Sequence, residues 1–196
     1  VLVLMLACHG SSRPLSDALL ARFARLQVIF IAAGLYFVLV YHLTNLYFTK
    51  HHGFERFILL DGGLYTALFW LGQVLLGGVL PIVLLLHPRI GQMRRQVAAS
   101  AALVVAGGFA QMYVTIIGGQ AFPLVIFPGW QVSSSFYDGV INDYTPSLPE
   151  WALGFGGVAL VGLIITLALK VIGFLPERLD DAALPTGKPA DAAVSA

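Results

Sequence analysis

The chain has 196 residues, of which 58% are hydrophobic and 11% are charged, and its mean hydropathy is +0.85. Soluble domains contain roughly 45–50% apolar and about 25% charged residues, so this composition excludes an ordinary soluble domain and predicts an integral membrane protein. The formal net charge of +1 does not by itself indicate a class of partner. We expect no nucleic-acid partner.

The first apolar stretch, residues 1–8, is too short to cross a hydrocarbon layer of about 30 Å and has no basic leading region. We interpret it as the end of a helix that starts before the sequence begins, and we expect the chain to be the C-terminal half of a larger subunit. Cys8 is the only cysteine, so we expect neither an internal disulfide nor a cysteine-ligated iron-sulfur cluster.

Four longer apolar stretches predict complete membrane-spanning helices. They cover residues 26–48, about 57–86, 97–118 and 149 to about 175. The first belongs to a helix that starts near Asp17, with Ser16 as its cap, and residues 50–56 form a short turn before the second. The second stretch is rich in small residues, which suit close helix contacts in lipid: Gly62, Gly63, Gly72, Gly77 and Gly78.

A long connection at residues 118–150 separates the last two helices and contains no Lys or Arg. Its prolines and glycines exclude a long uninterrupted helix, and its aromatic residues are typical of a membrane interface. Residues 176–196 contain few large apolar residues and predict a disordered tail. The chain is therefore expected to consist of a membrane helix bundle at 1–175 and a tail at 176–196.

The distribution of basic residues predicts the orientation. If residues 87–96 face the cytoplasm, alternation of the helices puts nine of the eleven Lys and Arg residues on that side, and only Lys50 and Arg56 on the other. Basic residues favour the cytoplasmic side. We therefore predict an all-α integral membrane protein with four complete helices, the end of a fifth, a long outer loop and a cytoplasmic C-terminus.

Polar side chains near the outer ends of the first two helices are the candidate site, because such groups are costly within a membrane. His42 and Asn45 share a face of the first helix, and Asp61 and Tyr65, four residues apart, are expected to share a face of the second. Since consecutive helices joined by a short turn are usually neighbours, the four side chains could converge. They suit proton exchange with a quinone or a proton path, although a simple interhelical hydrogen-bonding role stays open.

Other polar groups give weaker signals. Gln73, Gln111 and Tyr113 are expected to form interhelical hydrogen bonds. A buried haem needs two histidines at matching depths, and His42 lies near the outer end whereas His9 and His87 lie near the inner one. We therefore expect no haem, no iron-sulfur cluster and no metal site in this chain.

Several segments resemble a known family. These are Tyr41-His-Leu-Thr-Asn45, His51-His-Gly-Phe-Glu-Arg56, Gly119-Gln-Ala-Phe-Pro, Phe127-Pro-Gly and Tyr144-Thr-Pro-Ser-Leu-Pro-Glu150. They resemble the NrfD/PsrC (polysulfide reductase type) membrane subunits, with most similarity to the DsrP- and HybB-like branch.

The resemblance implies a quinone-reactive anchor of eight to ten helices in the bacterial inner (plasma) membrane. Such an anchor is a non-catalytic subunit of a respiratory oxidoreductase complex, takes quinone or menaquinone as its substrate and, in most members, binds no redox cofactor of its own. It exchanges electrons with a periplasmic ferredoxin-like iron-sulfur subunit, which serves a molybdopterin, hydrogenase or cytochrome subunit. Coupling to proton movement is a further expectation.

The long outer loop is where such an iron-sulfur subunit would dock. We predict that this surface includes Phe127, Trp130, Tyr137 and Asp138; the alternative is a loop folded back on its own helices. A different class of protein, a fragment of a solute or ion transporter, also fits glycine-interrupted helices with polar groups at mid-depth.

Overall fold

The computed structural model describes residues 1–10, 15–88, 93–123, 139–142 and 144–172, and its regular elements are helical. In chain order we label the helices α1 (Leu2–Gly10), α2 (Asp17–Tyr47), α3 (His52–Arg56), α4 (Leu64–Leu86), α5 (Arg94–Ala121) and α6 (Leu148–Val171). Within the described ranges, four of them (α2, α4, α5 and α6) are long and apolar enough to cross a membrane. The protein is thus an all-helical integral membrane protein, as its composition predicts.

The predicted ends of three spanning helices agree with the structure to within a few residues. The Ser16 side chain accepts a hydrogen bond from the Leu19 backbone N–H at 3.2 Å, which confirms the predicted cap of α2. At the start of α6, the Ser147 N–H donates to Glu150 Oε2 at 2.6 Å. The predicted end of this last helix near residue 175, and the tail at 176–196, lie outside the described residues.

The second spanning helix differs from the prediction. It begins at Leu64 rather than near residue 57. The residues predicted as a turn, 50–56, are largely helical. A 3-10 turn at Thr49–His51 leads into α3, and α3 continues as the π-helical segment Phe57–Asp61. Gly63 breaks the helix, with φ of +55°, a conformation that favours glycine. The predicted start of this helix near residue 57 was wrong, because the span was expected to continue through Gly62 and Gly63 and the helix instead breaks there.

Side chains of α4 satisfy backbone groups freed by this break. Thr66 Oγ1 accepts a hydrogen bond from the Gly62 N–H at 3.0 Å and donates one to the Phe57 carbonyl at 3.1 Å. The Trp70 indole N–H donates to the Leu59 carbonyl at 3.0 Å. Buried backbone groups need such partners, so these contacts hold the end of the π-helical segment against the first turns of α4.

Helices α4 and α5 pack closely through glycines. A Cβ atom added at Gly77 would lie 2.6 Å from Gly107 Cα, and one added at Gly72 would lie 2.8 Å from Ala110 Cβ. On the other side of α4, a Cβ at Gly78 would lie 2.7 Å from a methyl group of Leu35 in α2. This confirms the predicted close helix contacts for Gly72, Gly77 and Gly78 but not for Gly62 and Gly63, which lie at the break; such contacts drive helix association in lipid.

The two ends of the bundle are held by different contacts, an ion pair at one end and aromatic packing at the other. At one end, Arg94 at the start of α5 forms a 2.8 Å ion pair with Asp17 and donates a hydrogen bond to the Leu15 carbonyl, so α2 and α5 start on the same side. At the other end, the Phe122 ring follows α5 and packs on Phe54 of α3, with ring centroids 5.8 Å apart. Helix α3 therefore covers the end opposite to Arg94.

Helix α6 contributes little to the protein core. None of its most apolar 18-residue window is buried, compared with 28% of the corresponding window of α4. The core instead lies between α2, α4 and α5, with one buried cluster near Leu20 and Val97 and another near Phe57 and Phe69.

Candidate functional site

A cavity of about 460 Å³ lies between α2, α4 and α5 at the end that α3 covers. Phe37, Phe54 and Phe69 contribute aromatic walls. The remaining lining residues include the polar side chains of Tyr41, His42, Gln73, Gln111 and Thr115. Pockets for small molecules commonly have about 300–1,000 Å³, mostly apolar walls and a few polar groups, so this cavity has the size and chemistry of a ligand site.

Residues in π-helical geometry form much of the cavity wall. Ile58 lies in the segment Phe57–Asp61, Phe69 and Gln73 lie in Leu68–Val79, and Val114 and Thr115 lie in Val114–Gly118. A π-helical turn departs from the regular side-chain register of an α-helix, and such turns occur frequently at functional sites. The departures from α-helical geometry thus coincide with the place where a ligand would fit.

A buried acid, which was not among the predicted site residues, contacts His42 beside the cavity. The side chain of Glu55 in α3 is fully buried, with 0% exposure, and its Oε2 atom lies 2.6 Å from His42 Nδ1. Its other oxygen, Oε1, accepts a hydrogen bond from Asn45 Nδ2 at 2.8 Å. We call Glu55, His42 and Asn45 the buried cluster.

The local sequence explains why Glu55 is buried. In the short helix α3 and its continuation, Phe54, Phe57 and Ile58 pack into the core beside Phe122, and Glu55 lies within this apolar run. A carboxylate there is stable only with hydrogen-bond partners, which α2 supplies through His42 and Asn45. The signal available from sequence was an acid flanked by large apolar residues at helical spacing.

The ring of His42 is held from three directions. Its Nδ1 atom faces Glu55, and its edge-to-face contacts with Tyr41 and Phe69 have centroid separations of 5.1 and 4.7 Å. When Glu55 is a carboxylate, Nδ1–H donates to it, which leaves Nε2 as the nitrogen available to a molecule in the cavity. The side chain of His42 is 13% exposed.

The buried cluster reaches the protein surface through Asn45. Asn45 Oδ1 lies 3.2 Å from Nδ1 of His51, an exposed residue. The adjacent His52 is also exposed, but its Nε2 lies 2.6 Å from the Leu46 carbonyl oxygen instead. Two neighbouring histidines therefore differ in whether they contact the buried cluster.

The four residues selected from the sequence do not all converge. His42 and Asn45 meet on Glu55, but the Asp61 carboxylate is 57% exposed and pairs with Arg56, with Nε and Oδ2 2.7 Å apart. Tyr65 is buried and packs against Phe57 and Tyr113, at centroid separations of 5.6 and 6.0 Å. The expectation that Asp61 and Tyr65 share a helix face was wrong, because the break at Gly63 separates them.

Two glutamines lie deeper in the bundle. Gln73 is buried. Together with Gln111 it lines both the cavity of about 460 Å³ beside His42 and an adjoining cavity of about 260 Å³. The adjoining cavity also contacts Gln27, whose buried Oε1 atom has no hydrogen-bond partner among the residues that the structure describes. The predicted interhelical hydrogen bonds of Gln73 and Gln111 stay predictions, but their position on the cavity wall makes them candidates for contact with a ligand.

Within the described residues, no group of three or more His, Cys, Asp or Glu side chains is arranged to hold a metal ion. The expectation that this chain binds neither haem nor an iron-sulfur cluster stays a prediction. The proposed docking residues lie outside the described residues: Phe127, Trp130, Tyr137 and Asp138.

Comparison with known proteins identifies the family. The family model described as "Polysulphide reductase, NrfD" matches residues 1–124, more than half of the chain. The chain belongs to the NrfD family. This confirms the resemblance found in the loop and helix segments of the sequence.

Two curated relatives are similar to this chain. One is the "Hdr-like menaquinol oxidoreductase integral membrane subunit" of Archaeoglobus fulgidus, 34% identical over 146 residues, which are 73% of this chain and 36% of that protein. The other is a selenate reductase subunit of Mesobacillus selenatarsenatis, 25% identical over 175 residues, 88% of this chain and 39% of that protein. The chain thus spans less than two fifths of either relative's length. No solved structure matches it.

Proposed function

We propose that this chain forms part of a quinone-reactive membrane anchor subunit of a respiratory oxidoreductase complex, in which residues 1–175 belong to the membrane helix bundle. The observation that carries the proposal is that His42 lines a ligand-sized cavity while a fully buried carboxylate holds its Nδ1 atom at 2.6 Å. The family assignment, together with a relative named as a menaquinol oxidoreductase subunit, supports quinone as the substrate class.

The cavity suits the head group of a quinone or menaquinone. Phe37, Phe54 and Phe69 offer apolar and aromatic contacts to the ring, and His42 Nε2 offers a hydrogen bond to one ring oxygen. The amides of Gln73 and Gln111 can act as donors or acceptors, so either could orient the head group in its quinone or quinol form.

The chemistry at this site couples electron transfer to proton transfer. Oxidation of a quinol removes two electrons and two protons, and a positioned base at the reacting hydroxyl assists proton removal. Neutral His42 can accept such a proton because Glu55 stabilises the imidazolium that forms. The electrons pass to a redox centre in a partner subunit, which we propose is a periplasmic ferredoxin-like iron-sulfur protein serving a molybdopterin, hydrogenase or cytochrome subunit.

The family assignment favours this function over a transporter fragment. The glycine-rich second span, which also suited a transporter, is explained here by close packing of Gly77 on Gly107 and by the break at Gly63. The proposed location is the bacterial inner membrane, with the end that α3 covers facing outward, as the distribution of Lys and Arg indicates.

The test is quinol turnover by the assembled complex. His42→Ala should lower quinol-dependent turnover on the order of 100-fold or more, the size expected for loss of a positioned base, whereas His52→Ala should have little effect. His52 is a suitable control because it is a nearby histidine outside the cavity. Equal turnover in the wild type and the His42→Ala variant would contradict the proposal.

The partner surface needs a separate test, because it involves the loop at residues 118–150. Replacing Trp130 and Tyr137 together with alanine should weaken co-purification of the iron-sulfur subunit without changing the amount of this chain in the membrane. Undiminished co-purification would remove the docking role and leave the quinone site unaffected.

A further inference from the structure

The cavity of about 460 Å³ beside His42 and the adjoining cavity of about 260 Å³ share one wall. Four residues line both cavities: Gly34, Val38, Gln73 and Gln111. Gly34, Val38 and His42 follow one another at intervals of four residues, so they lie along one side of α2. Gly34 is eight residues before His42, which is about 12 Å along the helix axis. The adjoining cavity therefore begins where the first one ends, on the side away from α3.

Beyond the shared wall, the adjoining cavity is mainly apolar. Its apolar side chains are Phe30, Ile31, Leu35 and Val104, and glycines form much of the remaining surface. Phe30 is 73% exposed, so within the described part of the chain this cavity opens at the outside of the bundle formed by α2, α4 and α5. It therefore joins the site beside His42 to the surroundings of the helices.

The glycines of the adjoining cavity are of two kinds. At Gly77, Gly78 and Gly107, an added Cβ atom would lie within 3.0 Å of an atom of a neighbouring helix, so close packing accounts for them. At Gly34 and Gly108, no atom of the described residues lies within 4 Å of an added Cβ. Packing between these helices therefore does not explain the second kind. Gly34 of α2 lines both cavities, and Gly108 of α5 lines the adjoining one.

We propose that the adjoining cavity binds the isoprenoid side chain of the quinone, which passes Gly34 on its way from the head group. The inference rests on the proposed function and adds a second binding site to it. The side chain of a membrane quinone is a branched hydrocarbon attached to the ring carbon next to one of the oxygens, so it continues from a head group at His42 into neighbouring apolar space. Contacts with Ile31 and Val104 bury its first isoprene units, and the opening at Phe30 lets the rest leave the bundle.

Gly34 keeps the passage between the two cavities open in this proposal. Because it lines both of them, a larger side chain at this position narrows the place where they meet. An isoprenoid chain offers no hydrogen bond to Gln27, which lies seven residues before Gly34 and has a buried Oε1 atom. The proposed site therefore comprises the apolar stretch from Gly34 to Phe30 and ends before Gln27.

The first experiment compares two substrates of the assembled complex: menaquinol, which has the isoprenoid side chain, and menadiol, which has the same ring without it. In Gly108→Leu, KM for menaquinol should rise about 10-fold, the size expected when about two methylene-sized groups lose their apolar contacts. Its kcat should be unchanged, because the side chain makes the same contacts in the ground state and the transition state. KM for menadiol should stay at the wild-type value, because Gly108 does not line the cavity beside His42. A KM for menaquinol that rises no more than that for menadiol would overturn the proposal.

The second experiment changes the passage itself. Gly34→Leu should raise KM for menaquinol more than Gly34→Ala does, because the larger side chain narrows the passage further. Alanine and leucine favour a helix more than glycine does, so we expect both variants to fold, and the amount of complex in the membrane checks this. The matched control is Gly156→Leu in α6, where no atom of the described residues lies within 4 Å of an added Cβ and which lines neither cavity. A rise in Gly156→Leu as large as that in Gly34→Leu, or no rise in Gly34→Leu, would overturn the role of Gly34.

Failure of this inference is distinguishable from failure of the proposed function. His42→Ala should lower the turnover of both quinols, because His42 contacts the ring that they share. If it does so while Gly108→Leu does not separate the two substrates, the head-group site stands and the side-chain site is lost. If His42→Ala leaves the turnover of both quinols unchanged, the proposed function is wrong and the inference fails with it.

Discussion

Glu55 and Arg56 are adjacent in the sequence, yet they belong to opposite kinds of electrostatic environment. Glu55 is fully buried and contacts His42 and Asn45 of a different helix, whereas Arg56 is 73% exposed and pairs with Asp61, five residues further along the chain. We call Arg56 and Asp61 the exposed pair. The His42–Glu55 and Arg56–Asp61 distances, 2.6 and 2.7 Å, are almost the same, so burial and the number of partners distinguish the two contacts.

This difference indicates which acid can do chemistry at the cavity. Water stabilises an exposed carboxylate in its charged form and screens the charge of its partner. We therefore expect a ligand in the cavity to have no effect on Asp61. Among the described residues, Glu55 has His42 and Asn45 as its hydrogen-bond partners, and any change in the protonation of His42 acts directly on it. The buried cluster is therefore coupled to a ligand at His42, and the exposed pair is not.

The largest expected effect on stability comes from the buried cluster. Glu55→Ala leaves the His42 Nδ1–H and Asn45 Nδ2–H groups without their acceptor, and each buried donor left unsatisfied costs about 1–3 kcal/mol. Reversible unfolding by detergent titration of the purified protein measures this loss. A loss no larger than that of Asp61→Asn would show that burial does not separate the two sites.

A smaller effect is expected at the break between the two sites. Gly63 has φ of +55°, so Gly63→Ala introduces a strained backbone and should lower the unfolding free energy by about 1–3 kcal/mol. Gly119→Ala is the matched control, because Gly119 is helical, with φ of −65°, and no atom of the described residues lies within 4 Å of a Cβ added there. Equal stability of the two variants would mean that the break needs no glycine.

The smallest effect is expected at the exposed pair. Asp61→Asn should change the unfolding free energy by less than about 1 kcal/mol, as is usual for surface ion pairs, and the difference should shrink further at high salt. Quinol turnover should be close to that of the wild type. A large loss of turnover in Asp61→Asn would instead support the role in a proton path that the sequence suggested for Asp61.

Helical periodicity predicted part of this arrangement. The spacing of His42 and Asn45 correctly placed both on one face of α2, because residues 17–47 form an uninterrupted helix. The same rule failed for Asp61 and Tyr65, because Gly62 and Gly63 interrupt the register between them. A spacing argument holds only within a continuous helix, and the prediction counted residues across the two glycines as if the helical register continued through them.

Glu55 was missed for a related reason. The His-His-Gly-Phe-Glu-Arg segment has the composition of a solvated turn, and its burial depends on tertiary contacts of α3 with the end of α2 and with Phe122. Local sequence does not specify such contacts. In contrast, close helix contacts of the second span were predicted from its density of small residues, although the sequence did not identify α5 as the partner helix.

The central claim, that a quinone head group binds beside His42, is tested most directly by photochemical labelling. An azido derivative of menaquinone, irradiated with the assembled complex in membrane vesicles, should label peptides that contain His42 and Phe69, and excess menaquinone should suppress the labelling. His52→Ala should label like the wild type. Labelling confined to other parts of the complex, or labelling at His42 and Phe69 that excess menaquinone does not reduce, would contradict this claim.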